Sequence, residues 1–188
     1  MKGPRVDVAL VHAPVVNRKG EVIGSAVTNL DLHDIARACR TFGVHTYWVI
    51  TPFARQRELS SQILAHWLTG HGSTANPDRG EALALIRIIA DLQEAIGAAR
   101  QKWGRELRVV ATCARTRPDT VEYTQLRRQI GAGQPVLLVF GTAWGLAPEV
   151  FDMVDTTLPP ICGTGTYNHL SVRSAASIVL DRLLGVNE

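Results

Sequence analysis

The sequence has little cysteine: Cys39, Cys113 and Cys162 are its only three. They are widely spaced and form no CxxC pair, which excludes a disulfide framework and a cysteine zinc site. Free thiols of this kind suit the reducing cytoplasm, the location the sequence leads us to expect. The six histidines form no HExxH or comparable spacing, so no metal is expected. No apolar run is long enough to span a bilayer. The start, residues 1–10, lacks the apolar stretch of a signal peptide. Internal repeats and low-complexity segments are missing as well.

What remains is the composition of a folded domain. The chain has 188 residues, 46% of them hydrophobic and 20% charged, enough to bury one sizeable core without staples. The formal charge of +3 permits a polyanionic partner but does not require one.

Strand-like and helix-like segments alternate along the chain, which predicts an α/β fold: a mainly parallel sheet with helices on both faces. Residues 6–13, 45–51, 108–113 and 135–140 read as strands, and 154–158 as a short one. Leu32, Ile35, Ala36, Cys39 and Phe42 share a helical face, with Asn29 or Asp31 as cap and Gly43 as stop. Leu59, Ile63, Leu64 and Trp67 mark a second helix. The turn Asn76-Pro77-Asp78 predicts a long helix to about Trp103. A helix is predicted over 118–130, a short one over 147–150, and a last one over 170–184.

In a parallel sheet, ligands bind beyond the carboxyl ends of the strands, so the segments that follow strands come first. Gly141-Thr142-Ala143-Trp144-Gly145-Leu146 follows the most hydrophobic strand, and its glycines admit a ligand close to backbone. It lacks the Gly-Lys-Ser/Thr ending of a Walker loop, and taken alone it reads first as a tight strand-to-helix turn. Residues 159–174 contain Gly163-x-Gly165, but Asn168 stands where a dinucleotide fingerprint needs its third glycine. A nicotinamide oxidoreductase is therefore disfavoured. Asn168 and Ser171 are also plausible caps for the last helix. In residues 28–43, Asp34 and Arg37 lie one turn apart and can pair on the surface.

Together these segments resemble the SPOUT (α/β-knot) RNA methyltransferases. Residues 31–43 look like that class's first motif, with Arg37 and Phe42-Gly43 in place and Asp31 where the class carries Asn. Residues 140–146 look like the second motif and 159–176 like the third, with Asn168 as its asparagine. Val-Thr-Asn-Leu-Asp-Leu-His-Asp, Phe-Gly-Thr-x-Trp-Gly-Leu and Tyr-Asn-His-Leu-Ser-Val-Arg-Ser are most similar to a small single-domain family of that class.

The resemblance implies one SPOUT domain over 1–188, with a C-terminal trefoil knot over about 108–185 that binds S-adenosyl-L-methionine. The implied cofactor walls are Thr112; Phe140, Gly141, Thr142, Trp144, Gly145 and Leu146; and Ile161, Gly163, Tyr167, Asn168, Leu170 and Ser171. It implies a homodimer with the active site at the interface, and tRNA or rRNA as methyl acceptor. Arg37 is the first candidate for catalysis. Asp31 is the second, as a base, as an orienting partner or as a mere helix cap. Arg40, Arg115 and Arg117, with Arg127 and Arg128, are candidates for RNA contact. A non-catalytic RNA-binding module that retains the pocket is the alternative. The residues do not choose among ribose oxygen, ring nitrogen and ring carbon as acceptor.

Overall fold

A computed structural model describes residues 3–186. In chain order the elements are β1 (Val6–Val11), β2 (Val15–Val16), β3 (Val22–Ile23), α1 (Asn29–Thr41), β4 (Thr46–Ile50), α2 (Ala54–Leu68), α3 (His71–Ala75) and α4 (Pro77–Leu83). They continue as β5 (Ile86–Ile89), α5 (Leu92–Trp103), β6 (Arg108–Ala111), α6 (Tyr123–Gly131), β7 (Val136–Gly141), α7 (Pro148–Phe151), β8 (Thr156–Thr157) and α8 (Val172–Leu184).

Six strands form one sheet in the order β5-β4-β1-β7-β6-β8. Every pairing in it is parallel. All the carboxyl ends therefore lie along one rim, as the expected mainly parallel α/β fold requires. Both faces are covered. Val6, Val8 and Leu10 of β1 pack into a core with Leu32, Ile35, Leu126, Val179 and Leu180 from α1, α6 and α8. Ala9 and Val11 point to the other core, with Leu92, Ala95, Ile96 and Ala99 of α5 and Val150 of α7. Double burial explains why the strands read as unbroken apolar runs.

Three local expectations are corrected. The predicted long helix from Asn76 to about Trp103 is instead α4, β5 and α5. Asn76 does cap α4, accepting from the Arg79 amide at 3.1 Å. The apolar residues Ile86, Ile88 and Ile89, however, pair with β4. Asp91 then starts a new helix, accepting from the Glu94 amide at 2.8 Å. Isoleucine spacing alone does not separate a helix stripe from a doubly buried strand, and pairing with β4 decides it.

The cap of α1 is neither Asn29 nor Asp31 but Thr28, whose hydroxyl accepts from the Asp31 amide at 3.1 Å. Gly43 does end that helix, at φ +73. The helix predicted over 118–130 begins only at Tyr123. Residues before it run extended beside β8, with the Val121 amide donating to the Thr157 carbonyl at 2.9 Å.

Asp7 is the one charged residue inside the central strand, and its side chain is completely buried. Lys102 of α5 answers it: Nζ donates to Asp7 Oδ1 at 2.9 Å and to Thr46 Oγ1 at 2.8 Å. Removing the ammonium leaves a buried carboxylate without its cation. Lys102→Met should therefore lose about 1–3 kcal/mol of stability in urea titrations. Asp7→Asn/Lys102→Met should lose less than Lys102→Met alone.

Candidate active site

The switch in strand order puts β7, late in the chain, between β1 and β6. Ligand clefts form at such switch points, beyond the carboxyl ends. Here the cleft measures about 1460 Å³, more than the few hundred Å³ of a typical small-ligand pocket. There is room for a cofactor and for part of a second substrate.

The loop after β7 is shaped by its backbone. A Cβ on Gly141 would stand 2.7 Å from the Leu146 amide nitrogen, so only glycine permits the turn. Gly145 has φ +114, and Ala143 takes the left-handed region at φ 52. The Gly145 amide closes the turn onto the Thr142 carbonyl at 2.9 Å. Trp144, between them, stays half-exposed at the mouth.

The third segment crosses the loop after β6, where Asn168 Nδ2 donates to the Ala114 carbonyl at 2.8 Å. Ser171 caps α8, accepting from the Ser174 amide at 3.2 Å. Of the two plausible caps of that helix, the serine takes the place.

Twelve of the residues expected around a cofactor line this cleft. Thr112 enters from β6 and Phe140, Gly141, Thr142, Trp144, Gly145 and Leu146 from β7. Ile161, Tyr167, Asn168, Leu170 and Ser171 come from the crossing segment. Gly163 is not among the lining residues. Asp31, Arg115 and Arg117 line the cleft too, whereas Arg37 and Arg40 do not. Arg40 is paired with Glu81 at 2.8 Å, and Arg127 donates to the Arg182 carbonyl at 2.9 Å.

Arg173, in the first turn of α8, has no counterpart among the sequence candidates. Its NH1 donates to Asp31 Oδ1 at 3.2 Å, and its Nε lies 3.4 Å from Asp34 Oδ2. Asp34 thus pairs with Arg173 rather than with Arg37. The Asp31 carboxylate is 7% exposed and is held from both sides, because the Thr28 hydroxyl donates to Oδ2 at 2.6 Å. Each oxygen keeps a further lone pair. A signal existed in the sequence: arginine in the first turn of a helix opposes the helix dipole and needs a carboxylate partner.

Beneath the cleft lies His12, fully buried at the end of β1, with Nδ1 3.1 Å from the Ser25 hydroxyl. The Ser25 hydroxyl also meets that of Thr142. Burial lowers the His12 pKa below 6.5, although Asp31 and the Ala26 carbonyl pull it up. Among the described residues, no group of three His, Cys, Asp or Glu could hold a metal ion, and no helix is long and apolar enough to cross a membrane.

The residues fit an adenosyl cofactor. Leu146, Ile161 and Leu170 offer apolar surface for a purine, and the Thr112 hydroxyl, which donates to the Val139 carbonyl at 3.2 Å, keeps its lone pairs for a ribose hydroxyl. At Gly145 an added Cβ would meet nothing within 4 Å, so its backbone faces open space.

The fold is that of the SpoU methyltransferases. The chain is similar to AviRb from Streptomyces viridochromogenes, solved in complex with AdoMet, at a TM-score of 0.61 and 17% identity, covering 98% of this chain and 58% of that one. A SAM-dependent RNA methyltransferase family matches residues 5–185, and the chain belongs to that family. It is 49% identical over 177 residues to a tRNA (guanine-N(1)-)-methyltransferase of Oleidesulfovibrio alaskensis, covering 94% of this chain and 41% of the relative. It is 39% identical over 188 residues to an uncharacterized protein of Aquifex aeolicus, covering 100% of this chain and 92% of that protein. The chain thus spans about two fifths of the length of the curated tRNA methyltransferases it matches.

Two measurements test this site. In the unfolded chain His12 takes up a proton near pH 6.5, whereas the folded state resists it until lower pH. Stability conferred by neutral His12 is therefore present above about pH 6.5 and is lost as the pH falls through that region. His33, also lowered by burial, acts in the same direction. Urea midpoints should drop between pH 7.5 and 5.5, and drop less in His12→Asn. A valine at Gly145 would need a backbone that L-residues rarely adopt. Gly145→Val should abolish binding of S-adenosyl-L-methionine in calorimetry.

Proposed function

We propose that this chain binds S-adenosyl-L-methionine in the cleft and methylates a nucleotide of RNA, with tRNA the first substrate to test. The observation that carries this reading is the convergence of three hydroxyl-bearing loops, one of them glycine-rich, with a clamped carboxylate, Asp31, in one cleft of a family member. The relatives named for tRNA methylation are longer than this chain, and their activity belongs to the whole proteins. Tests on rRNA should run beside those on tRNA.

The cofactor supplies an electrophilic methyl group, and the remaining work falls to the protein. Asp31 is proposed to take the proton from the accepting atom. A carboxylate suits a ring nitrogen better than a ribose hydroxyl, whose proton is far less acidic. Arg173 and Thr28 are proposed to fix its orientation through the contacts given above. Arg115 and Arg117, in the cleft, and Arg40, further out on α1, are the candidates for phosphate contact, and Gly163, outside the lining, is a further candidate for cofactor contact.

The C-terminal trefoil knot, the cytoplasmic location and the homodimer belong to the same reading. Two contacts support threading: Asn168 reaches Ala114, and the Tyr123 hydroxyl donates to the Pro159 carbonyl at 3.3 Å. The dimer is supported by Arg37, which is exposed and lines no part of its own chain's cleft. Across a two-fold interface it would serve the partner's cleft.

The test is methyl transfer to total RNA from cells lacking the gene. The wild type should label RNA, whereas a non-catalytic module would bind RNA without labelling it. Asp31→Asn should stay folded, bind cofactor and lose about 10²–10⁴-fold in rate. Arg37→Ala should be equally inactive, and an equal mixture of the two variants should recover about a quarter of the activity. Half of the dimers are then mixed, each with one intact site. Full activity in Asp31→Asn would leave that residue a structural partner of Thr28 and Arg173.

A further inference from the structure

The hairpin of β2 and β3 is the one element at the cleft that sequence periodicity did not suggest. Its strands have two residues each, paired Val15 with Ile23 and Val16 with Val22. A two-stranded ribbon of this size is not stable alone. It is held by the cofactor loop: the Val16 amide donates to the Gly145 carbonyl at 2.9 Å, and the Trp144 amide donates to the Val16 carbonyl at 3.0 Å. A bridge between Val15 and Leu146 extends the weld. The loop after β7 thus backs the ribbon along its β2 edge.

The turn at the tip is locked by its own residues. Asn17 Oδ1 accepts from the amides of Lys19 at 2.8 Å and Glu21 at 3.0 Å. Asn17 Nδ2 donates to the Glu21 carboxylate at 2.6 Å, and Gly20 supplies φ +83. This arrangement occupies the only carboxylate of the hairpin. It leaves the side chains of Arg18 and Lys19 exposed at the turn, without a hydrogen bond or ion pair among the described residues. Asn17 and Gly20, which flank the two cations, line the same cleft as Arg115 and Arg117.

Two unpaired cations on a turn locked at the mouth of a cleft suit phosphate groups of a polyanion that enters it. Chemistry of this kind positions a nucleic acid without reading its sequence. We infer that the β2–β3 hairpin is an RNA-docking element, with Arg18 and Lys19 contacting backbone phosphates next to the nucleotide held in the cleft. The inference rests on the RNA methyltransferase reading and adds a surface to it. Because the ribbon is hydrogen-bonded on both sides of Trp144, the docking element moves with the loop that would hold the cofactor.

The experiment compares wild type, Arg18→Ala/Lys19→Ala and Arg18→Lys for binding to bulk tRNA from cells lacking the gene, over a range of salt. Binding of S-adenosylhomocysteine is measured by calorimetry on the same proteins. Loss of two phosphate contacts should weaken tRNA binding about tenfold at moderate salt and reduce the slope of log K against log salt by about 1.4–1.8. Arg18→Lys keeps the charge and should stay close to wild type. Affinity for S-adenosylhomocysteine should not change.

If the double variant binds tRNA with the wild-type slope, the hairpin does not dock RNA, while the wider reading stands. A loss of affinity that does not depend on salt, or a parallel loss of S-adenosylhomocysteine binding, also overturns the inference, since the tip would then act through packing. Absence of tRNA and rRNA binding by the wild type would remove the RNA reading itself.

Discussion

Strand β7 pairs with β1 over its whole length and with β6 on its other side, and the cleft exists because of that double pairing. The register sets Val11 beside Gly141, so the end of β1 and the start of the glycine loop lie level. Thr112 leaves β6 one strand further on, its amide donating to the Val139 carbonyl at 2.9 Å. Three loops far apart in sequence are thereby delivered to one rim. Were β7 on the outside of β6, the glycine loop would lie a strand further from His12 and from the hairpin.

The two opposite rims of the sheet show how the chain handles charge inside a fold. Among the described residues two carboxylates are buried, and each is answered by one cation from a distant element: Asp7 by Lys102, and Asp31 by Arg173. Such pairs do little for net stability, because desolvation offsets attraction. Their value is positional. The Asp7 pair ties α5 to the central strand, while the Asp31 pair ties α8 to α1 across the cleft. Asp34 on the surface of α1 adds a second acceptor for the same guanidinium. The arrangement fixes the orientation of the Asp31 carboxylate, and preorganisation of that kind is what the proposed role of Asp31 requires.

Much of the fold was legible, because doubly buried parallel strands announce themselves as apolar runs between helices. The strands at β1, β4, β6 and β7 and the helices α1, α2 and α8 follow from that pattern. The pattern failed where two structures share one signature. Ile86, Ile88 and Ile89 fit a helical stripe, and only the edge of β4 makes them a strand. The hairpin is too short for any period to register, and what holds it is backbone bonding to the loop at Gly145, which side-chain pattern does not encode. At the site, the glycines and Asn168 stood out by type and by their position after strands. Arg173 did not, since its significance lies in two carboxylates about 140 positions away in the chain. Arg37 was singled out by motif, and the monomer gives it no place in its own cleft.

The late arrival of β7 has a consequence for how the chain comes to be folded. During synthesis, β1, β4 and β5 emerge first and can pair among themselves. The other edge of β1 then waits, apolar on both faces, until residues 136–141 are made. Strand β6 waits likewise for β7, its partner on that side. Open parallel edges are slow to close and are templates for pairing with other chains. The final helix, α8, can cover the sheet only after β7 is in place, because its core residues Val179 and Leu180 pack with Leu138 and Phe140. A nascent chain that has not yet made β7 therefore presents an open sheet edge on β1 to whatever strand it meets.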